Sequence, residues 1–194
     1  MEGGIFTELA RTITGSIIAI GSMFFSYING VEPYFESPSF SVEHNQMLVS
    51  VNLQNWFTDE LDDIFSSGKP IRMHFTANII EQNSGKTIQS TDFFHTVKYH
   101  ILDDYFEVSR SEIGEKTQIH TIQEMHRIMS KIERAPIFDD DLAKTDVLYQ
   151  LKMSVQLPKI KIGGREKQFD LMPFWKNKKP YFFSQQFDNL VFVQ

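Results

Sequence analysis

The chain has 194 residues, enough for one globular domain with a full core plus an appendage. A hydrophobic fraction of 41% with 18 phenylalanines excludes a disordered chain, and the absence of cysteine excludes disulfide frameworks, thiolate metal sites and cysteine nucleophiles. The net charge of −6 is uneven: residues up to 156 carry 12 basic and 22 acidic side chains, and the remainder carry 7 and 3, so a strongly acidic body unsuited to nucleic acid precedes a basic tail.

The first element is an uncharged run from Thr12 to Val31, bracketed by Arg11 and Glu32 and containing Ile13, Ile17, Ile18, Ile20, Phe24, Phe25 and Ile28. As a helix its 20 residues span about 30 Å, the hydrocarbon thickness of a bilayer. Tyr27 suits an interfacial anchor near the outer end. The run reads as a signal anchor or signal segment over residues 1–32; a cleaved secretory signal and a buried core helix are the competing readings, and no small-x-small cleavage site follows the apolar stretch. Arg11 on the short flank and Glu32 and Glu36 beyond place the N-terminus in the cytoplasm and the body outside.

After Pro33 and Pro38 the pattern changes to period two. Met47, Val49, Val51 and Leu53 alternate with polar residues, as do Ile71, Met73, Phe75, Ala77 and Ile79, then Phe93, Val97, Tyr99 and Ile101. The cleanest series is Val147, Tyr149, Leu151, Met153, Val155 and Leu157. Such alternation predicts antiparallel strands with one buried and one wet face. Shorter strands are expected at 40–43 and 105–110, with turns at 83–86 and 103–104.

Two helices interrupt the series. The first starts near Thr58, is expected to bury Phe57, Leu61, Ile64 and Phe65, and stops at Gly68 and Pro70. The second opens on a capping box, Thr121-Ile122-Gln123-Glu124, and carries an apolar stripe of Ile122, Met125, Ile128, Met129 and Ile132 that ends before Pro136. The predicted order is two strands, helix, three strands, helix, long strand and aromatic tail. This is an α+β fold: an antiparallel sheet or sandwich-like domain of about six or seven strands with two short covering helices, occupying 33–194 as a single β-rich extracytoplasmic domain after an N-terminal hydrophobic helix.

The stretch Leu61 to Pro70 (a short helix closing on Ser-Gly-Lys-Pro), the hairpin after it, Tyr99, Asp104-Tyr105, the Thr121 to Ile132 helix and Leu148-Tyr149-Gln150-Leu151-Lys152-Met153 leading to Leu157-Pro158 resemble the bacterial domain of unknown function 4390 family. The resemblance covers roughly 36–185 and implies an extracytoplasmic location. It supplies no activity and no functional residues.

Catalytic signatures are not found. His44, His74, His95, His100, His120 and His126 show no zinc-protease spacing; His74 and His100, as neighbours on the polar faces of adjacent strands, are the best metal or acid–base pair on offer, against the ordinary reading of surface histidines. Asp139, Asp140 and Asp141 lack calcium-loop spacing and read as a solvated loop, and Gly163-Gly164 reads as a turn. No catalytic residue, metal or cofactor is expected.

The tail concentrates Phe169, Phe174, Trp175, Tyr181, Phe182, Phe183, Phe187 and Phe192 among Lys176, Lys178 and Lys179. Either these rings complete the core, or the tail is an interface anchor for a protein partner or a membrane headgroup layer, with Phe174, Trp175, Lys176, Lys178, Lys179, Tyr181, Phe182 and Phe183 as the partner-binding candidates. The leading expectation is a non-enzymatic domain anchored to the inner membrane by its N-terminal helix, with its body in the periplasm or extracytoplasmic space, binding a protein partner and no nucleic acid. A carrier for an apolar, lipid-like ligand and a hydrolase are the alternatives.

Overall fold

The computed structural model describes residues 30–161 and 168–189. The expected N-terminal helix and the Gly163-Gly164 turn lie outside these residues.

β1 (Tyr34–Phe35), β2 (Ser39–Glu43) and β3 (Gln46–Gln54) open the body. β2 and β3 are joined by a two-residue turn, His44-Asn45, with both residues at positive φ, the mirror-image turn whose twist matches the strands. α1 (Asp59–Phe65) follows, with the Thr58 hydroxyl accepting from the Leu61 N–H at its N-terminus. β4 (Ile71–Glu81), β5 (Lys86–His100), β6 (Tyr105–Arg110) and β7 (Glu115–Ile119) form a meander. α2 (Ile122–Ser130) is capped by Thr121, whose hydroxyl accepts from Glu124 N–H, and runs directly into β8 (Lys131–Asp139). β9 (Tyr149–Gln156), β10 (Lys159–Lys161), β11 (Gln168–Asp170) and β12 (Tyr181–Phe183) are the remaining described strands, β10 and β11 pairing with each other as a separate two-stranded sheet.

Two antiparallel sheets enclose the core. The larger has the order β12-β9-β4-β5-β6-β7. In the smaller, β3 is central: Val49 faces Phe40 of β2 on one side and Ala135 of β8 on the other, and β1 pairs with the end of β3. β8 packs against β4 and β5, so Val49, Val51, Leu53, Ile132 and Ile137 meet Phe75, Ala77, Leu151 and Met153 in one apolar cluster. Every odd position from Ile71 to Ile79 and from Tyr149 to Leu157 is buried, as the alternation predicts. α1 and α2 cover one end of this core with Leu61, Ile64, Phe65, Met125 and Met129.

The fold corrects three expectations. Twelve strands stand among the described residues where about six or seven were expected, because β1, β10, β11 and β12 are only two or three residues long and β7 lacks apolar alternation. α2 stops at Ser130: Ile132 is buried from a strand, and Pro136 belongs to β8, which pairs only with β3 among the described strands, so the missing N–H breaks no ladder bond on its free side. Phe57 is exposed while its neighbour Trp56 is buried, because the turn into α1 directs only the indole inward.

A candidate docking site on the open side of the sandwich

The tail residues divide by position. A 3₁₀ turn at Met172–Trp175 drives Phe174 and Trp175 into the core, where Trp175 Nε1 donates to the Trp56 carbonyl at 2.6 Å. These two rings are therefore not on the surface. Lys176 and Asn177 turn the chain at positive φ, and β12 then pairs with β9 through Tyr181↔Ser154, Phe182↔Met153 and Phe183↔Lys152. Phe182 points inward and meets Phe35 edge-on, with centroids 5.3 Å apart, joining the rim of one sheet to the rim of the other. Tyr181 and Phe183 point outward, 61% and 48% exposed, flanking the Lys152 ammonium at 5.6 and 5.5 Å.

The start of the body lies against this tail. Val31 N–H donates to the Phe174 carbonyl at 2.9 Å, and a Cβ at Gly30 would stand 2.7 Å from the Pro173 carbonyl oxygen. Glu32 takes ion pairs from Lys178 at 3.0 Å and Lys176 at 3.2 Å, and these hydrogen bonds hold its carboxyl below the usual carboxylate range.

Further along the same side runs β2. A two-residue hairpin fixes which residues hydrogen-bond: Glu43, Ser41 and Ser39 turn their backbone groups toward β3, and Val42 and Phe40 turn theirs outward. No described strand pairs with that outer edge. Phe40 and Val42 are opposite Val49 and Met47, so their side chains lie on the core-facing side, yet they remain 43% and 37% exposed. Phe40, Met47, Phe183 and Phe187 line an open cleft of about 500 Å³ between the two sheet rims.

The contrast with the other end of the large sheet is chemical. β7 closes that end with exposed Glu115, Lys116, Thr117 and Gln118, the charged dressing that discourages strand pairing. β2 has only Glu43 as a charge, and Arg134 pairs with it.

The titratable groups are spread over the molecule. His74 is opposite Phe94, far along the ladder from His100, so those two histidines are not neighbours. His74 instead hydrogen-bonds Asp92 at 2.9 Å and, with help from Thr76, keeps the Asp92 carboxyl below its usual range. His100 stacks on Tyr105. His95 is buried, bridging the Met129 carbonyl at 2.8 Å and the Glu112 carboxylate at 2.9 Å. His126 meets Asp62 at 2.5 Å beneath the Phe57 ring, beside a second cleft of about 410 Å³. Asp139 accepts from Gln46 and Gln89 side chains at a strand end, and Asp140–Leu142 form a 3₁₀ turn. Among the described residues no group of three or more His, Asp or Glu side chains converges, and no helix is long and apolar enough to cross a membrane.

The fold is thus a two-sheet antiparallel α+β domain, its distinctive surface an open rim of aromatic and edge-strand residues. The family model for the domain of unknown function DUF4390 matches residues 34–162, and the chain belongs to that family. No curated protein and no solved structure matches it.

Proposed function

We propose that this is a non-enzymatic, membrane-tethered envelope domain that binds a partner protein by accepting an extended segment on the outer edge of β2. The carrying observation is the pair Phe40 and Val42: outward-facing backbone groups on an uncharged stretch of edge strand, with exposed apolar side chains beside a cleft. Added strands gain affinity from main-chain hydrogen bonds and specificity from alternate side chains in pockets, and this edge supplies both. The uncharged run ending at Val31 supports the tether, and Arg11 before it with Glu32 and Glu36 after it supports a body held in the extracytoplasmic space. A carrier role fares less well, because the space between sheet and helices is filled by Trp56, Phe65, Met125 and Met129.

The test uses the full chain in its native membranes with a benzophenone side chain in place of Phe40. One adduct of defined mass is expected, formed through an extended segment of the partner and lost on Val42→Pro. An adduct that persists with equal yield in the proline variant, or no adduct, overturns the reading.

A further inference from the structure

We propose that the rim where residue 31 joins the body is a docking surface for anionic phospholipid headgroups. This rests on the tether reading above. Tyr34, Lys178, Lys179 and Tyr181 line a cleft of about 370 Å³, with Glu32 between them and Lys176 beside it. Both tyrosine rings are mostly exposed, at 58% and 61%.

Position and charge carry the argument together. Val31 is the last residue of the uncharged run and is pinned to the body by its hydrogen bond to Phe174. A run that crosses the hydrocarbon leaves this residue at its boundary, where the headgroup layer is about 5–7 Å deep. Tyr34 is three residues on, at most about 10 Å of extended chain away, so the rim stands within side-chain reach of the headgroup layer. Tyrosine is the side chain suited to that layer, with an apolar ring and a polar tip. Three lysines stand here: Glu32 pairs with Lys176 and Lys178, and Lys179 makes no close ion pair among the described residues, its charge acting on the Asp92 carboxylate from beyond ion-pair distance. The excess positive charge selects an anionic surface, at about fivefold in partition per lysine.

The absence of cysteine makes the experiment direct, since a single engineered thiol is unique. Full-length Tyr181→Cys and Asn83→Cys chains, the latter at the turn beyond the far end of β4, carry an environment-sensitive dye. Each is reconstituted into phosphatidylcholine discs with and without about 30% phosphatidylglycerol, a content high enough to give an anionic surface. The expected result is a blue shift and shielding from aqueous quencher at position 181 alone, greater in the anionic discs and lost with Lys178→Glu and Lys179→Glu together. A dye at 181 as wet as that at 83, in a chain that floats with lipid, overturns the rim and leaves the tether standing. An equal shift in both lipids overturns the anionic preference. A chain that fails to float with lipid overturns the tether and the rim with it.

Discussion

The indole of Trp175 donates to the backbone carbonyl of Trp56 at 2.6 Å across 119 residues of sequence, with both rings buried. That bond ties the aromatic tail to the helical end of the core. It makes Phe174 and Trp175 structural parts of the core and leaves Tyr181 and Phe183 as exposed rings of the tail. Trp175→Phe removes the donor and leaves a buried carbonyl unpaired, at an expected cost of about 1–3 kcal/mol. Trp175→Ala adds a cavity and costs about 3–5 kcal/mol. Urea unfolding measures both; a loss below about 1 kcal/mol for the alanine variant contradicts the core assignment.

A second prediction concerns His95 and Glu112, whose side chains are fully buried and 2.9 Å apart. Glu112 Oε2 has no hydrogen-bond partner among the described residues, so this carboxylate depends on the imidazole for its pairing. His95→Phe leaves the Glu112 carboxyl buried without a partner, and Glu112→Leu leaves His95 Nε2 unpaired while Nδ1 keeps the Met129 carbonyl, each at about 1–3 kcal/mol. The double substitution is expected to cost much less than the sum, and a double-mutant cycle gives the coupling. Strict additivity contradicts the pairing.

The hairpin register predicts opposite outcomes for neighbouring proline substitutions. Val42 N–H faces outward, so Val42→Pro leaves the β2–β3 ladder intact and costs less than about 1 kcal/mol. Ser41 N–H faces β3, and Ser41→Pro removes a ladder bond and leaves its acceptor unpaired, at about 1–3 kcal/mol. Thermal unfolding of the two variants separates them; equal losses contradict the register.

Glu32 makes a pH prediction. Its folded carboxyl titrates below the ordinary value because Lys178 and Lys176 hydrogen-bond the charged form. The ionised form is the stabilising one, so its contribution is present above the ordinary carboxylate range and disappears as pH falls through the depressed folded value. The difference in melting temperature between the native chain and Glu32→Gln is therefore constant near neutral pH and shrinks in acid. A difference that grows in acid contradicts the ion pairs.

The period-two segments were legible because burial leaves a direct trace in alternation: all the odd positions from Ile71 to Ile79 are core. β8 was not, since Met125, Ile128, Met129 and Ile132 continue a helical spacing through Ser130, and only the pairing of β8 with β3 stops it. Trp56 and Phe57 are adjacent apolar rings, and composition does not say which one the turn directs inward. The same ambiguity covered the tail, where Phe174 and Trp175 are chemically like Tyr181 and Phe183 but end on opposite sides of the surface. The outer edge of β2 was invisible for a different reason: whether a strand is an edge depends on the order of strands far apart in sequence.

In the proposed role the outer edge of β2 is paired when the protein is at work. Amide hydrogen exchange at Phe40 and Val42 measures this directly, comparing the full chain in native membranes with the same chain purified in detergent. Protected amides are expected at these two positions in the membrane and rapid exchange after purification, with β7 exchanging alike in both. Equally rapid exchange of Phe40 and Val42 in both settings contradicts it.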